Sequence, residues 1–329
     1  MHTRRQLLVL GAAALAAPLA ALAQPPFKPA RVGFLYLGSR ASAIETGRYA
    51  AFLEGMRELG YVEGKNLIIE ARFGDGRTEQ LRGLAAELVR LKPDVIVVTG
   101  TAAGNAAKQA TSSIPIVLTL AVDPVGDGFA ASLARPGGNI TGLSLMTPDL
   151  VRKHMELLRA AMPKLSRVGV LSNSTNLAHP PLIQVAEEVA RGSGIRILIA
   201  DGRTPEDIRQ GFTTMLREGA EAVVILGDTS FVQRSRQIAE LAASHRLASI
   251  YLSREYPEAG GLMSYGPEIT DNVRRSATFV DRILKGAKPG ELPFEQPTRY
   301  YLVLNLRTAK ALGLGIPREV LLRADRVIE

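Results

Sequence analysis

The sequence has no cysteine. That excludes a disulfide framework, a thiolate zinc site, an iron-sulfur cluster, a cysteine nucleophile and a lipidated-cysteine anchor. Histidine is nearly as scarce. His2, His154, His179 and His245 are the whole complement and no two stand at ligand spacing, so no metal is implied. No glycine-rich loop ends in Lys-Ser or Lys-Thr, and no dinucleotide fingerprint follows a strand candidate, so no cofactor is implied either. The nearest approach to a nucleophile elbow, Leu262-Met263-Ser264-Tyr265-Gly266, lacks the glycine two residues before the serine. Blocks of like charge are also missing. The formal net charge of +8 is spread through interleaved pairs such as Arg57-Glu58 and Arg152-Lys153 before Glu156. Without a basic run or an aromatic platform, nucleic-acid binding is not expected.

What is present begins with a different text from the rest. Arg4-Arg5 precedes an apolar stretch from Leu7 to Ala23 that closes on Ala21-Leu22-Ala23 before Gln24, the layout of a cleaved signal peptide. Residues 1–23 are therefore read as that peptide, with the mature chain starting near Gln24 and working in the periplasm. A membrane anchor is the competing reading. The run of about 17 residues sits at the low limit for a spanning helix and contains Pro18. Thr3-Arg4-Arg5-Gln6-Leu7-Leu8 approaches a twin-arginine export signal, with Leu7 in place of the usual Phe.

From Arg31 onward, short β-branched runs alternate with stretches of helical periodicity, the pattern of βα units on a parallel sheet. Strand candidates run Val32 to Leu37, Leu67 to Ala71, Val95 to Val98, Ile116 to Leu120 and Ile140 to Leu145, and the series restarts at Val168. Two stretches 126 positions apart read alike. Asp75-Gly76-Arg77-Thr78 opens a helix leading to a buried-strand pattern that ends at Gly100, and Asp201-Gly202-Arg203-Thr204 opens one leading to Gly227. The shared order predicts two similar α/β lobes. In open α/β sheets ligands sit at the carboxyl ends of the strands, which places the expected site in a crevice between the lobes.

The residues following those strand ends are small, polar or acidic. Ser39 follows the first strand, and Thr99-Gly100-Thr101 leads from the third straight into a helix, where free amides and the dipole suit a carboxylate. Asp123, Asp228 and Glu255 stand at comparable ends and suit an ammonium or a sugar hydroxyl. Asn173 and the aromatics Tyr36, Phe231 and Tyr256 are further pocket candidates. Each has a plain structural alternative: capping for the hydroxyls and acids, core packing for the aromatics. Asp228→Ala is expected to lower ligand affinity while leaving the melting temperature of the free protein nearly unchanged.

An ordered set of segments then resembles a known family. The segments are Gly33-Phe34-Leu35, Gly60-Tyr61-Val62-Glu63-Gly64-Lys65-Asn66-Leu67, Asp123-Pro124-Val125, Arg135-Pro136-Gly137-Gly138-Asn139-Ile140-Thr141-Gly142, Gly260-Gly261-Leu262-Met263-Ser264-Tyr265-Gly266 and Leu304-Asn305-Leu306-Arg307-Thr308-Ala309. Together they resemble the ABC transporter substrate-binding proteins of the tryptophan/tyrosine-type group. The resemblance implies a type I periplasmic binding fold: two Rossmann-like lobes with parallel sheets, joined by three crossings, that close on a small organic solute and deliver it to ABC permease subunits. It implies a monomer without catalysis, with one lobe from residues 31–145 plus 262–288 and the other from 146–260 plus 298–329. A periplasmic sensor and an exported hydrolase using Asp123, Asp228 or Glu255 are the alternatives.

Overall fold

The computed structural model describes residues 28–329, so the expected signal peptide at residues 1–23 lies outside the described residues. In the first lobe, β1 (Ala30–Tyr36), β2 (Leu67–Phe73), β3 (Val95–Thr99), β4 (Ile116–Ala121) and β5 (Ile140–Ser144) form a fully parallel sheet in the order β2-β1-β3-β4-β5. Its helices are α1 (Arg40–Glu45), α2 (Arg48–Glu58), α3 (Leu81–Arg90) and α4 (Thr101–Ala110). Both faces of this sheet are covered, which is why β3 and β4 are buried from end to end. Along β3 the side chains alternate between faces: Val95 and Val97 pack with Phe52 and Met56 of α2, Ile96 and Val98 with Leu88 of α3 and Ala103 of α4.

The second lobe repeats the plan. Its strands are β6 (Arg167–Ser172), β7 (Arg196–Asp201), β8 (Ala222–Ile225), β9 (Ala248–Tyr251), β10 (Met263–Gly266), β11 (Tyr301–Asn305) and β12 (Arg326–Ile328), in the order β12-β11-β10-β9-β8-β6-β7. Between them run α5 (Thr147–Ala161), α6 (His179–Arg191), α7 (Pro205–Arg217), α8 (Thr229–Val232), α9 (Ser235–Ser244) and α10 (Glu255–Glu258). One face packs Val168, Val170 and Val224 against Met155 and Leu158 of α5 and Leu182 of α6; the other packs Leu171 and Val223 against Phe212 of α7 and Ile238 of α9. The restart of the βα series read from the sequence thus marks a second doubly covered sheet.

The chain passes between lobes three times. It leaves the first lobe between β5 and α5, returns after β10 as α11 (Ile269–Leu284), and leaves again between Glu295, bridged to Leu143, and β11. Helix α11 lies against α2: Val273, Ala277 and Val280 share the core of Phe52 and Met56. The approach is so close that a Cβ on Gly55 would stand 2.3 Å from the Arg274 carbonyl oxygen, so only glycine fits there.

Two expectations need correction. The sequence expectation returns the chain to the first lobe at Leu262, but β10 pairs in parallel with β9 and belongs to the second sheet. Leu262 and Met263 are fully buried in the second-lobe core, and the crossing follows Gly266. The second sheet is also not wholly parallel: β11 runs antiparallel to β10, with Tyr301 opposite Gly266. The third crossing delivers the chain to the end of the sheet where β10 finished, so the next strand must run back.

Candidate ligand-binding cleft

The carboxyl ends of the strands of both sheets meet around a cleft of about 880 Å³, counting the space open to solvent at its mouth. Leu37, Thr99, Leu120 and Leu145 come from the ends of β1, β3, β4 and β5; Asn173, Gly227, Asp228 and Ser253 come from the ends of β6, β8 and β9. The lobes are in contact. A Cβ on Gly38 would lie 2.8 Å from Gln233 Nε2 of the second lobe, one on Gly100 would lie 3.4 Å from Thr229 Oγ1, and Arg48 Nη2 stands 3.5 Å from Glu255 Oε1.

On the first-lobe side, β3 ends in Thr99 and the chain turns through Gly100, at φ 83° and ψ 164°, into α4. That backbone conformation is essentially reserved for glycine. Because the cap is glycine, no side chain among the described residues caps the first amides of α4, and their N–H groups and the positive end of the helix dipole suit an anionic group. Thr101, in the first turn, donates its hydroxyl to Asp127 Oδ2 at 3.1 Å, while Thr99 Oγ1 pairs with Thr119 Oγ1 at 3.1 Å. Burial pushes the Asp127 carboxyl up, and the bond from Thr101 pulls against that shift.

On the second-lobe side, Asp228 caps the short helix α8 and is 7% exposed. Its Oδ1 accepts from the Ser230 amide at 2.7 Å and the Ser230 hydroxyl at 2.5 Å; its Oδ2 accepts from Asn176 Nδ2 at 2.8 Å and Asn173 Nδ2 at 3.3 Å. All these donors are neutral. His179 Nε2 is 3.9 Å away, but burial holds its imidazole below the ordinary histidine range, against the pull of Asp228. Its Nδ1 accepts from the Asn173 amide at 2.8 Å, which fixes the proton on Nε2, towards the Gly227 carbonyl at 3.2 Å. Asp228 is therefore a buried carboxylate whose four bonds all come from neutral donors, so its field in the cleft favours a cation.

Much of the remaining wall is aliphatic, with Leu120, Val122, Ile225, Leu226, Val232 and Leu252. Tyr256 adds an aromatic face, stacked on Tyr251 with centroids 4.3 Å apart. Burial pushes its phenol well up, and the negative charges of Glu255 and Asp228 add to the shift.

Of the residues singled out in the sequence, Thr99, Gly100, Thr101, Asn173 and Asp228 line this cleft together, as does Tyr256. Ser39 does not: its hydroxyl accepts from the Ser42 amide and caps α1. Asp123 turns its carboxylate onto the amides of Val125 and Gly126, the capping alternative. Glu255 faces a second pocket on the hinge side and reaches the cleft through Arg48. Phe231 is fully buried core, and Tyr36 touches the site through its hydroxyl, 3.4 Å from Arg48 Nη1. Sequence reasoning missed Arg48, Thr147, Thr175 and Asn176, all lining residues. Asn176 and Thr175 sit in the same polar run as Asn173 and were within reach; Arg48, inside an ordinary helical stretch, carried no signal.

Comparison with known proteins gives one consistent grouping. A conserved domain protein from Vibrio cholerae O1 biovar eltor is 28% identical and superposes with a TM-score of 0.85, covering 91% of this chain and 100% of its own. An ABC domain from Streptococcus pneumoniae in complex with L-Trp is 24% identical, with a TM-score of 0.84 over 92% of this chain and 100% of that one. The tyrosine-binding protein of Clostridioides difficile (strain R20291) is 22% identical over 263 residues, 80% of this chain and 75% of its own. Residues 44–328 match the family described as ABC transporter substrate binding protein.

Proposed function

The chain belongs to the ABC transporter substrate-binding protein family, and from that premise we propose that it captures a free amino acid outside the cytoplasm and presents it to an ABC permease. Its architecture is the type I periplasmic binding fold. The carrying observation is the pairing across the cleft of two opposite electrostatic features. The uncapped start of α4 faces the Asp228 end of α8, near enough for Gly100 to approach Thr229. A zwitterion satisfies both at once, its carboxylate at the α4 amides and its ammonium near Asp228. A neutral sugar would bring no charge to either feature. The aliphatic walls suit an apolar side chain, in keeping with the tyrosine and L-Trp named for the two relatives above.

On this reading the protein acts by hinge closure about the three crossings, as an exported monomer whose first 23 residues are removed, and performs no chemistry on its solute. The test is calorimetry on the chain from Gln24 onward against amino acids, sugars and nucleosides. One amino acid should bind one-to-one, raising unfolding free energy by about 2.7 kcal/mol at a hundredfold excess over its dissociation constant. Its N-acetyl and amide derivatives should each lose most of the affinity, because each removes one charge. A sugar or nucleoside as the tightest ligand, or equal binding of the blocked derivatives, overturns the reading.

A further inference from the structure

Arg48 opens α2 and is 3% exposed, yet its donors are poorly met. Among the described residues its Nε has no partner. Nη1 reaches the Tyr36 hydroxyl at 3.4 Å and Nη2 reaches Glu255 Oε1 at 3.5 Å, both at the long limit of a hydrogen bond. A guanidinium presents five donors in a rigid fork, and burying it short of acceptors is unfavourable unless something else supplies them. Thr147 Oγ1, at the start of α5, is a second buried cleft-lining atom without a partner. Both residues belong to the hinge end of the cleft. Thr147 follows the first crossing, and Ile269, where the second crossing arrives, lines the same wall as Arg48.

We propose that Arg48 determines specificity: its unmet donors bind an uncharged hydrogen-bond acceptor, a hydroxyl or carbonyl oxygen, on the side chain of the captured amino acid. The inference rests on the amino-acid reading and adds the side-chain class to it. Charge decides against an anionic side chain. Glu255, from the opposite lobe, already balances Arg48, and Asp228 lines the same cleft, so a further carboxylate would leave the cleft as a whole with an excess of negative charge. A neutral acceptor adds the missing bond without adding charge. Leu145, Leu252 and Ile269 provide the apolar wall that carries the side chain to it.

The experiment titrates each of the twenty common amino acids into the chain from Gln24 onward, then repeats the tightest binder and its isostere lacking the oxygen, such as L-tyrosine and L-phenylalanine, with Arg48→Met. The expected result is that the tightest binder bears a side-chain acceptor and exceeds its isostere by on the order of tenfold or more. Arg48→Met should bring it down to the isostere's level and leave the isostere unchanged. Should Arg48→Met fail to give a cooperative melt, Arg48→Lys keeps the charge opposite Glu255 but has no Nε, and should lose the discrimination in the same way. A tightest binder without a side-chain acceptor, L-tryptophan for example, overturns the inference and leaves the amino-acid reading intact. So does an equal loss for both isosteres. If none of the twenty binds, the reading falls and the inference with it.

Discussion

The two ends of the cleft are built on opposite principles. Around Asp228 each polar group answers another: the carboxylate takes four donors, Asn173 also accepts from Thr175, and His179 closes the ring through the Asn173 amide. At the hinge end, Arg48 and Thr147 keep donors with nothing to receive them. A saturated network is rigid and holds a fixed field. An unsatisfied one is incomplete until a ligand arrives. On the proposed reading, the first end contributes stability and a field suited to a zwitterion, and the second discriminates among zwitterions.

The largest expected effect breaks the saturated end. Asp228→Ala removes the cap of α8 and strands the Asn173 and Asn176 amides in a buried site. Urea unfolding should show a loss of about 3 kcal/mol, because unmet buried partners add to the lost bonds. This reverses the expectation drawn from the sequence, that the substitution would leave the melting temperature of the free protein nearly untouched. A midpoint equal to that of the unmodified chain would remove the contrast between the two ends.

Acid should come next. His154 of α5 is fully buried, its Nε2 lies 2.7 Å from the Tyr265 carbonyl, and burial lowers its pKa from 6.5 to about 4. The folded value lies below the unfolded one, so the stabilisation is complete above about pH 6.5 and is lost as pH falls towards 4. The loss is on the order of 3 kcal/mol. His179 shifts in the same direction, and its protonation would break the bond its Nδ1 accepts from Asn173. Unfolding free energies from pH 7 to 4.5 should therefore decline, and His154→Gln should flatten most of the slope. An unchanged slope in that variant would assign the acid sensitivity to the Asp228 end instead.

The smallest effect sharpens the comparison. Glu255→Gln keeps the shape of the pair that joins Arg48 to the second lobe but removes its charge. Arg48 is buried and loses its counter-charge, but the substituted amide still accepts from it and Glu255 is partly exposed, so the loss of unfolding free energy should be about 1–2 kcal/mol, below that of Asp228→Ala. Small-angle scattering of the unliganded chain should nonetheless report a larger radius of gyration as the open form gains population. No expansion would mean that packing of Gln233 against Gly38 and Gly76, not the ion pair, holds the lobes together.

Much of this was legible in the sequence because strands buried on both faces must be continuously apolar, and Val95 to Val98 or Ala222 to Leu226 have no other plain use. Thr99, Gly100 and Thr101 were legible as cleft residues for a similar reason: a strand end, a glycine and a helix start meet at the carboxyl edge of the sheet. Placing Met263 to Gly266 in the first lobe fails because a four-residue strand next to a crossing carries no periodicity that names its partner sheet. The reversed course of β11 follows from where the chain re-enters, which is a property of the three crossings and of no local residue. Arg48 stayed hidden because its neighbours in the cleft are supplied by residues up to 221 positions away, Ile269 among them.

The fit of α11 against Gly55 also constrains the order in which the molecule can be assembled. During synthesis, the face of the first sheet that carries Phe34 and Val97 stays uncovered by α11 until residue 284 has emerged, long after β5 is complete. A fragment ending at residue 145 would hold all five strands of that sheet and still expose apolar surface along α2. The first lobe is thus begun first but cannot be finished until five strands of the second sheet have been made, and its closing piece comes from the far side of its partner.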